Sequence, residues 1–124
     1  MVKQGDELSQ RTKQFAVRVV RMYATLPKTD AARVIGRQVL RSGTSVAANY
    51  RAAGRARSRA EFVAKLGIVV EEADETVLWL ELLVDCGIVP RKRMDPLLIE
   101  ANELLAIFAA AQLTAKSKAP PRTS

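Results

Sequence analysis

The chain is 124 residues long, 48% hydrophobic and 27% charged, with no histidine, one cysteine and a net charge of +7. That length bounds it to one domain with one core, and the composition excludes a disordered or collagen-like chain. The lone Cys86 excludes an internal disulfide and points to a reducing, cytoplasmic setting, while the lack of histidine removes Ser-His and Cys-His nucleophile pairs and every His-containing metal site.

Residues 1–6 are polar and read as frayed. A first helix is expected to start between Glu7 and Thr12 and to end at Leu26, where Pro27 stops it. Leu8, Phe15, Val19, Met22 and Leu26 recur at helical spacing and make one buried face. Arg11, Gln14, Arg18 and Arg21 line another, which reads as solvated surface.

Thr29 or Asp30 can cap a second helix, from about Asp30 to Ala53. The short turn before it makes the first two helices antiparallel neighbours. At 100° per residue, Ala31, Val34, Ile35, Gln38, Val39, Ser42, Ser45, Val46 and Asn49 share one side, and Arg33, Arg37, Arg41, Arg51 and Arg55 the other. Ser42, Ser45 and Asn49 are therefore expected as buried polar groups that need partners, with Glu75 of the next helix among the candidates. Gly36 and Gly43 cost about 1 kcal/mol each relative to alanine, which implies close backbone approach there.

Gly54 is placed to end the second helix. Ser58 and Glu61 form a capping box for a third, from Arg59 to Asp85 or Cys86, with Gly87 as its stop. Phe62, Leu66, Val69, Val70, Ala73, Thr76, Val77, Leu80 and Val84 form its core stripe. Ile68, Leu78, Trp79 and Leu82 lie elsewhere on the circumference, so this helix is apolar on most sides. A lone bundle would leave one of those sides in water, which predicts an interface between copies anchored by Trp79. Asp95-Pro96 reads as the cap and first residue of a fourth helix, though a start nearer Pro90 is open, ending near Ala115. Leu97, Ala101, Leu104, Phe108 and Ala111 face its core. The reading is one domain over 1–115, with 116–124 a basic disordered tail.

No stretch has the order of a signal peptide. No apolar run is read as long enough to cross a bilayer, since Glu81 and Asp85 interrupt the longest. The acids Glu71, Asp74 and Glu75 share a helix face, but a di-metal site on that pattern wants a Glu-x-x-His partner that is lacking; no metal, cofactor or enzymatic activity is expected. Charge is segregated along the chain: residues 30–59 carry seven arginines against Asp30, and residues 60–86 carry Lys65 against seven acids. Two functions follow. The line Arg33, Arg37, Arg41, Arg51 and Arg55, continued by Arg57 and Arg59, suits the phosphates of structured RNA or DNA. Alternatively the arginines pair with the acidic third helix, of the same or a neighbouring copy, and the apolar strip binds a protein partner. Aromatic residues make up only 5% of the chain, so base stacking is not the main mode.

The stretch QVLRSGTSVAANYRAAGRARSRAEFVAKLGIVVEEADETVLWLELL resembles the four helix bundle proteins related to the 23S rRNA intervening-sequence proteins. The matching features are Gln38, Arg41-Ser42, Thr44-Ser45, Asn49 before a basic connector, Ser58 with Glu61-Phe62, and Glu75 before Trp79-Leu80. RTKQFA and Leu26-Pro27 are similar to the family's first helix. The resemblance covers about residues 8–112. It implies an all-α, antiparallel up-down bundle assembled into a homo-oligomeric, pentameric ring, and no enzymatic activity. It also implies distant kinship with accessory proteins of diversity-generating retroelements, basic bundle pentamers that bind nucleic acid and a reverse transcriptase. Where the family has an acid shortly after the asparagine, this chain has Ala52 and Ala53.

Overall fold

Turns at 25–29, 55–58 and 86–90 divide the chain into four helices in the computed structural model, which describes residues 3–118, with side chains from residue 7 onward. They are α1 (Lys3–Ala24), α2 (Asp30–Gly54), α3 (Arg59–Asp85) and α4 (Arg91–Ser117), and no strand occurs among the described residues. Each helix packs on its neighbour in sequence, and α1 also meets α4 along the sparsest of the contacts. α1 begins earlier than expected and ends at Ala24; Thr25 and Leu26 N–H close the turn onto Met22 O and Tyr23 O. The expected tail boundary also moves: 116 and 117 belong to α4, and 119–124 lie outside the described residues.

Local chemistry explains the helix ends. Thr29 Oγ1 accepts from Ala32 N–H at 3.2 Å, and Ser58 Oγ accepts from Glu61 N–H at 3.0 Å. Glu61 reaches back as a capping box does, but to the N–H of Arg57, at 2.6 Å. Gly87, at φ +73°, ends α3 by donating to Val84 O, while Ile88 donates to Leu83 O. This pair of bonds needs a left-handed residue, which glycine supplies without strain. Gly54 plays no such part, being an ordinary last helical residue followed by Arg55. α4 starts at Arg91, with Arg93 and Met94 N–H donating to Pro90 O. Asp95 is therefore not its cap, and Pro96 lies inside the helix, where its missing N–H withholds a bond from the Lys92 carbonyl.

Phe15, Val19, Val39, Val46, Leu66, Val69, Leu80, Leu83, Leu104 and Phe108 form the centre of the core. The inner face of α2 is not the one its valines indicate. Ala31 and Val34 are exposed, Val34 at 62%, while Ala32, Gly36, Val39, Gly43, Val46 and Ala53 are buried. The glycines face α1: a Cβ on Gly36 would lie 2.6 Å from Leu26 Cδ1, and one on Gly43 would lie 2.9 Å from Val19 Cγ2. Close approach between α1 and α2 thus outweighs the apolar content of Val34 in setting the rotation of α2.

Between α2 and α3 sits one buried polar pair. Ser42 Oγ donates to Gln38 O at 2.8 Å, and Thr76 Oγ1 lies 2.8 Å from Ser42 Oγ and 2.7 Å from Glu72 O. Every oxygen there is satisfied without water. The other expected buried polar residues, Ser45, Asn49 and Glu75, are only half-buried. Asn49 Nδ2 donates to Ser45 O within its own helix at 2.9 Å, rather than across to α3. Contrary to the sequence reading, α4 is long and apolar enough to cross a membrane, with a mean hydropathy of 1.4 over 18 residues. Its buried Phe108 and Leu104, and the ion pairs of Glu100 and Glu103 with Arg11, tie it to the bundle.

Candidate nucleic-acid interface

Residues four apart share a side of a helix, so the arginines of α2 emerge on the outside of the bundle. Arg37, Arg51 and Arg55 are exposed, as are Arg57 and Arg59 on the connector and the start of α3. Among the described residues none of these five side chains has an ion-pair or hydrogen-bond partner. Arg33 is exposed too, and donates only to its neighbour's backbone, Lys28 O, at 3.3 Å.

Arg41 departs from this pattern. Its guanidinium donates to Gln38 Oε1 at 3.1 Å and to Glu72 Oε1 at 3.0 Å, and it also pairs with Glu75. Glu75 in turn accepts from Trp79 Nε1–H at 3.0 Å. The Trp79 bond first, and Arg41 second, hold the Glu75 carboxyl below its ordinary range. Arg41 is consequently removed from the free set; the pairing with the acidic third helix expected as the alternative for all the arginines is made by this one.

Side chains 7–58 carry eleven basic residues against two acidic ones, a surplus of nine; side chains 59–118 carry seven against ten. The bundle therefore has a basic half, α1 and α2, and an acidic half, α3 and α4. The outward side of α3 carries apolar residues. Ile68 and Leu78 are exposed at 37% and 49%, and Trp79 and Leu82 are half-buried beside them. Val34, assigned to the core from sequence, joins this exposed set from α2. The Arg41–Glu72–Glu75 cluster joins α2 to α3. Among the described residues no group of three metal-ligating side chains comes together.

The family model for 23S rRNA-intervening sequence proteins matches residues 6–110. The chain belongs to that family. A protein of unknown function from the S23 ribosomal protein family of Bacteroides thetaiotaomicron has a solved structure that superposes with a TM-score of 0.81 at 35% identity. The match covers 87% of this chain and 96% of that one, so the four-helix architecture is shared almost end to end. No curated protein matches the chain. Of the two residues that follow Tyr50 and Arg51, Ala53 is 1% exposed and packs in the core, and Ala52 is half-buried.

Proposed function

We propose that this family member is a non-catalytic, intracellular, self-associating scaffold that binds nucleic acid, structured RNA above all. The observation behind this is the uncompensated outer line of α2, Arg33, Arg37, Arg51 and Arg55, continued by Arg57 and Arg59. Such a line meets phosphates as point charges and forks, without reading bases, so binding is salt-sensitive and weakly sequence-specific. Copies associate through Val34, Ile68, Leu78, Trp79 and Leu82, and a ring of five is the assembly the family resemblance implies. Repetition of the basic line around such a ring adds weak contacts through avidity. The test is a gel shift with structured RNA at low salt, beside light scattering of wild type and Leu78→Glu. Retention of RNA by an oligomer, with Leu78→Glu smaller in mass and weaker in binding, supports the scaffold. A wild-type mass of one chain and no RNA shift refute it.

A second reading is an adaptor whose basic and acidic helices serve assembly alone. The contact of Arg41 with Glu72 and Glu75 favours it, because those helices do pair within one chain. Arg37→Glu with Arg41→Glu separates the two. Loss of the oligomer with RNA binding unchanged supports the adaptor.

A further inference from the structure

We infer that the groove between α1 and α2 is the seat of the nucleic-acid backbone, and that Thr44 within it favours ribose over deoxyribose. This rests on the nucleic-acid reading above and adds to it a place, new residues and a sugar preference.

The groove opens into two cavities. The one near the C-terminal end of α2 has a volume of 420 Å³ and is lined by Ser9, Thr12, Lys13, Thr44, Ala48 and Arg51, among others. The one by the α1–α2 turn has a volume of 320 Å³, with Lys28 and Arg33 at its wall. Neither lining contains an acid. By contrast, the cavity of 640 Å³ between α3 and α4 is lined by Glu81, Asp85, Asp95 and Glu103 with only Arg91 against them, which repels an anion. Lys13 and Arg51 are exposed, and among the described residues their side chains have no partner. Their charge is therefore available to a ligand rather than spent inside the fold.

The spacing suits a polymer rather than a single small anion. Arg33 and Arg51 stand 18 positions apart on one helix, so the two cationic ends are separated by about 27 Å at about 1.5 Å per residue. A double helix with a phosphate every ~3.4 Å per strand covers that distance in about 8 base pairs. Between the ends the floor carries Ala47 and Ala48, small enough to let a backbone lie close.

The hydroxyls add a discrimination. Thr44 Oγ1 donates to Leu40 O at 2.7 Å, and Thr12 Oγ1 donates to Ser9 O at 3.0 Å. Thr12 is only 1% exposed, but the Thr44 hydroxyl, its proton committed to a helix carbonyl, presents lone pairs to the cavity. A phosphate diester has no proton to offer them, whereas a 2′-hydroxyl does. The groove thus pairs cations for the phosphates with an acceptor for the ribose. Association through Ile68 and Leu78 of α3 leaves it open, because the groove is lined only by α1, α2 and the turn between them.

The test is fluorescence anisotropy of the full chain with a labelled 12-base-pair RNA duplex and the DNA duplex of the same sequence, across a salt series. Wild type is expected to prefer the RNA. Lys13→Glu with Arg51→Glu, and the milder Lys13→Gln with Arg51→Gln, are expected to weaken RNA binding about tenfold or more and to flatten the log–log salt slope by about 2. Arg91→Glu with Lys92→Glu, at the start of α4, matches the charge change outside the groove and should keep the slope. Thr44→Val is expected to reduce the RNA-over-DNA preference about threefold or more. If wild type binds RNA but the Lys13 and Arg51 variants retain its slope, the groove is the wrong place while the scaffold reading stands. If Thr44→Val keeps the preference, the sugar assignment falls. Wild type that binds neither duplex overturns the groove and the nucleic-acid reading together.

Discussion

Replacing Gly43 by alanine isolates the contact that sets the rotation of α2. In an unconstrained helix interior the change would stabilise by about 1 kcal/mol. Here the added Cβ would lie 2.9 Å from Val19 Cγ2 and 3.1 Å from Val19 Cγ1. Val19 is fully buried, and a β-branched residue in a helix has one favoured χ1, so it cannot swing aside. Overpacking of this kind costs roughly 2–3 kcal/mol, which exceeds the propensity gain and leaves a net loss of about 1–2 kcal/mol. For a chain of this size that is a fall in Tm of about 4–8 °C. Thermal and urea denaturation followed by far-ultraviolet circular dichroism measures it, at fixed protomer concentration because association shifts apparent stability. Combining Gly43→Ala with Val19→Ala should cost less than the sum of the two single changes, since the second removes the obstructing methyls. Gly67→Ala is the control: its Cβ would meet only Gln112 Nε2, the far end of a flexible side chain, and should cost nothing. A Gly43→Ala protein that melts higher than wild type, or single changes that simply add, would refute the close-approach argument.

Two further outcomes bear on the polar contacts. Arg11 binds Glu100 with two bonds of 2.7 and 2.8 Å and Glu103 with one of 2.6 Å, across the thinnest seam of the bundle. Arg11→Ala is expected to destabilise by about 1 kcal/mol, a value discounted for the partial exposure of both partners. A double-mutant cycle with Glu100→Ala by urea denaturation reads it, and Glu103→Ala, the more exposed partner, should cost less. For Glu75, a carboxyl held below its ordinary 4.5 contributes stability that is present above that value and lost as pH falls from there toward the folded value. The stability gap between wild type and Glu75→Gln should therefore be constant near neutrality and close in acid below about pH 4.5. A gap that widens in acid contradicts the assignment.

Periodicity made α1 and α2 legible because each segregates apolar from charged residues, whereas α3, apolar on most sides, was bounded by its cap and its glycine stop. Thr29, Ser58 and Gly87 act where the sequence places them. The rotation of α2 was harder to read, because hydrophobicity ranks Val34 above Gly36 and Gly43, and glycine declares itself only when the partner helix is present. Asp95-Pro96 misled in the same way: it has the chemistry of a helix start, yet Pro90 and the burial of Met94 carry α4 one turn further back. On the surface, the arginine line was visible as charge at spacing four. Pairing of these arginines with α3 is one of the two readings of that charge, but that Arg41 is the one to pair among the described residues was not visible, because the contact spans more than thirty positions, and Lys13 on α1 joined the basic groove only once the two helices lay side by side.

The Ser42–Thr76 contact has a consequence for uniqueness. Two helices that meet through methyl and methylene groups alone can slide by a turn with little change in energy. A dry hydroxyl pair has one alignment in which the two oxygens meet; in a slipped alignment each still bonds the carbonyl four residues back in its own helix, so the slip forfeits the bond across the seam, about 0.5–1.5 kcal/mol. A double valine replacement could hold α2 and α3 together as firmly, yet it would remove the feature that makes competing alignments expensive.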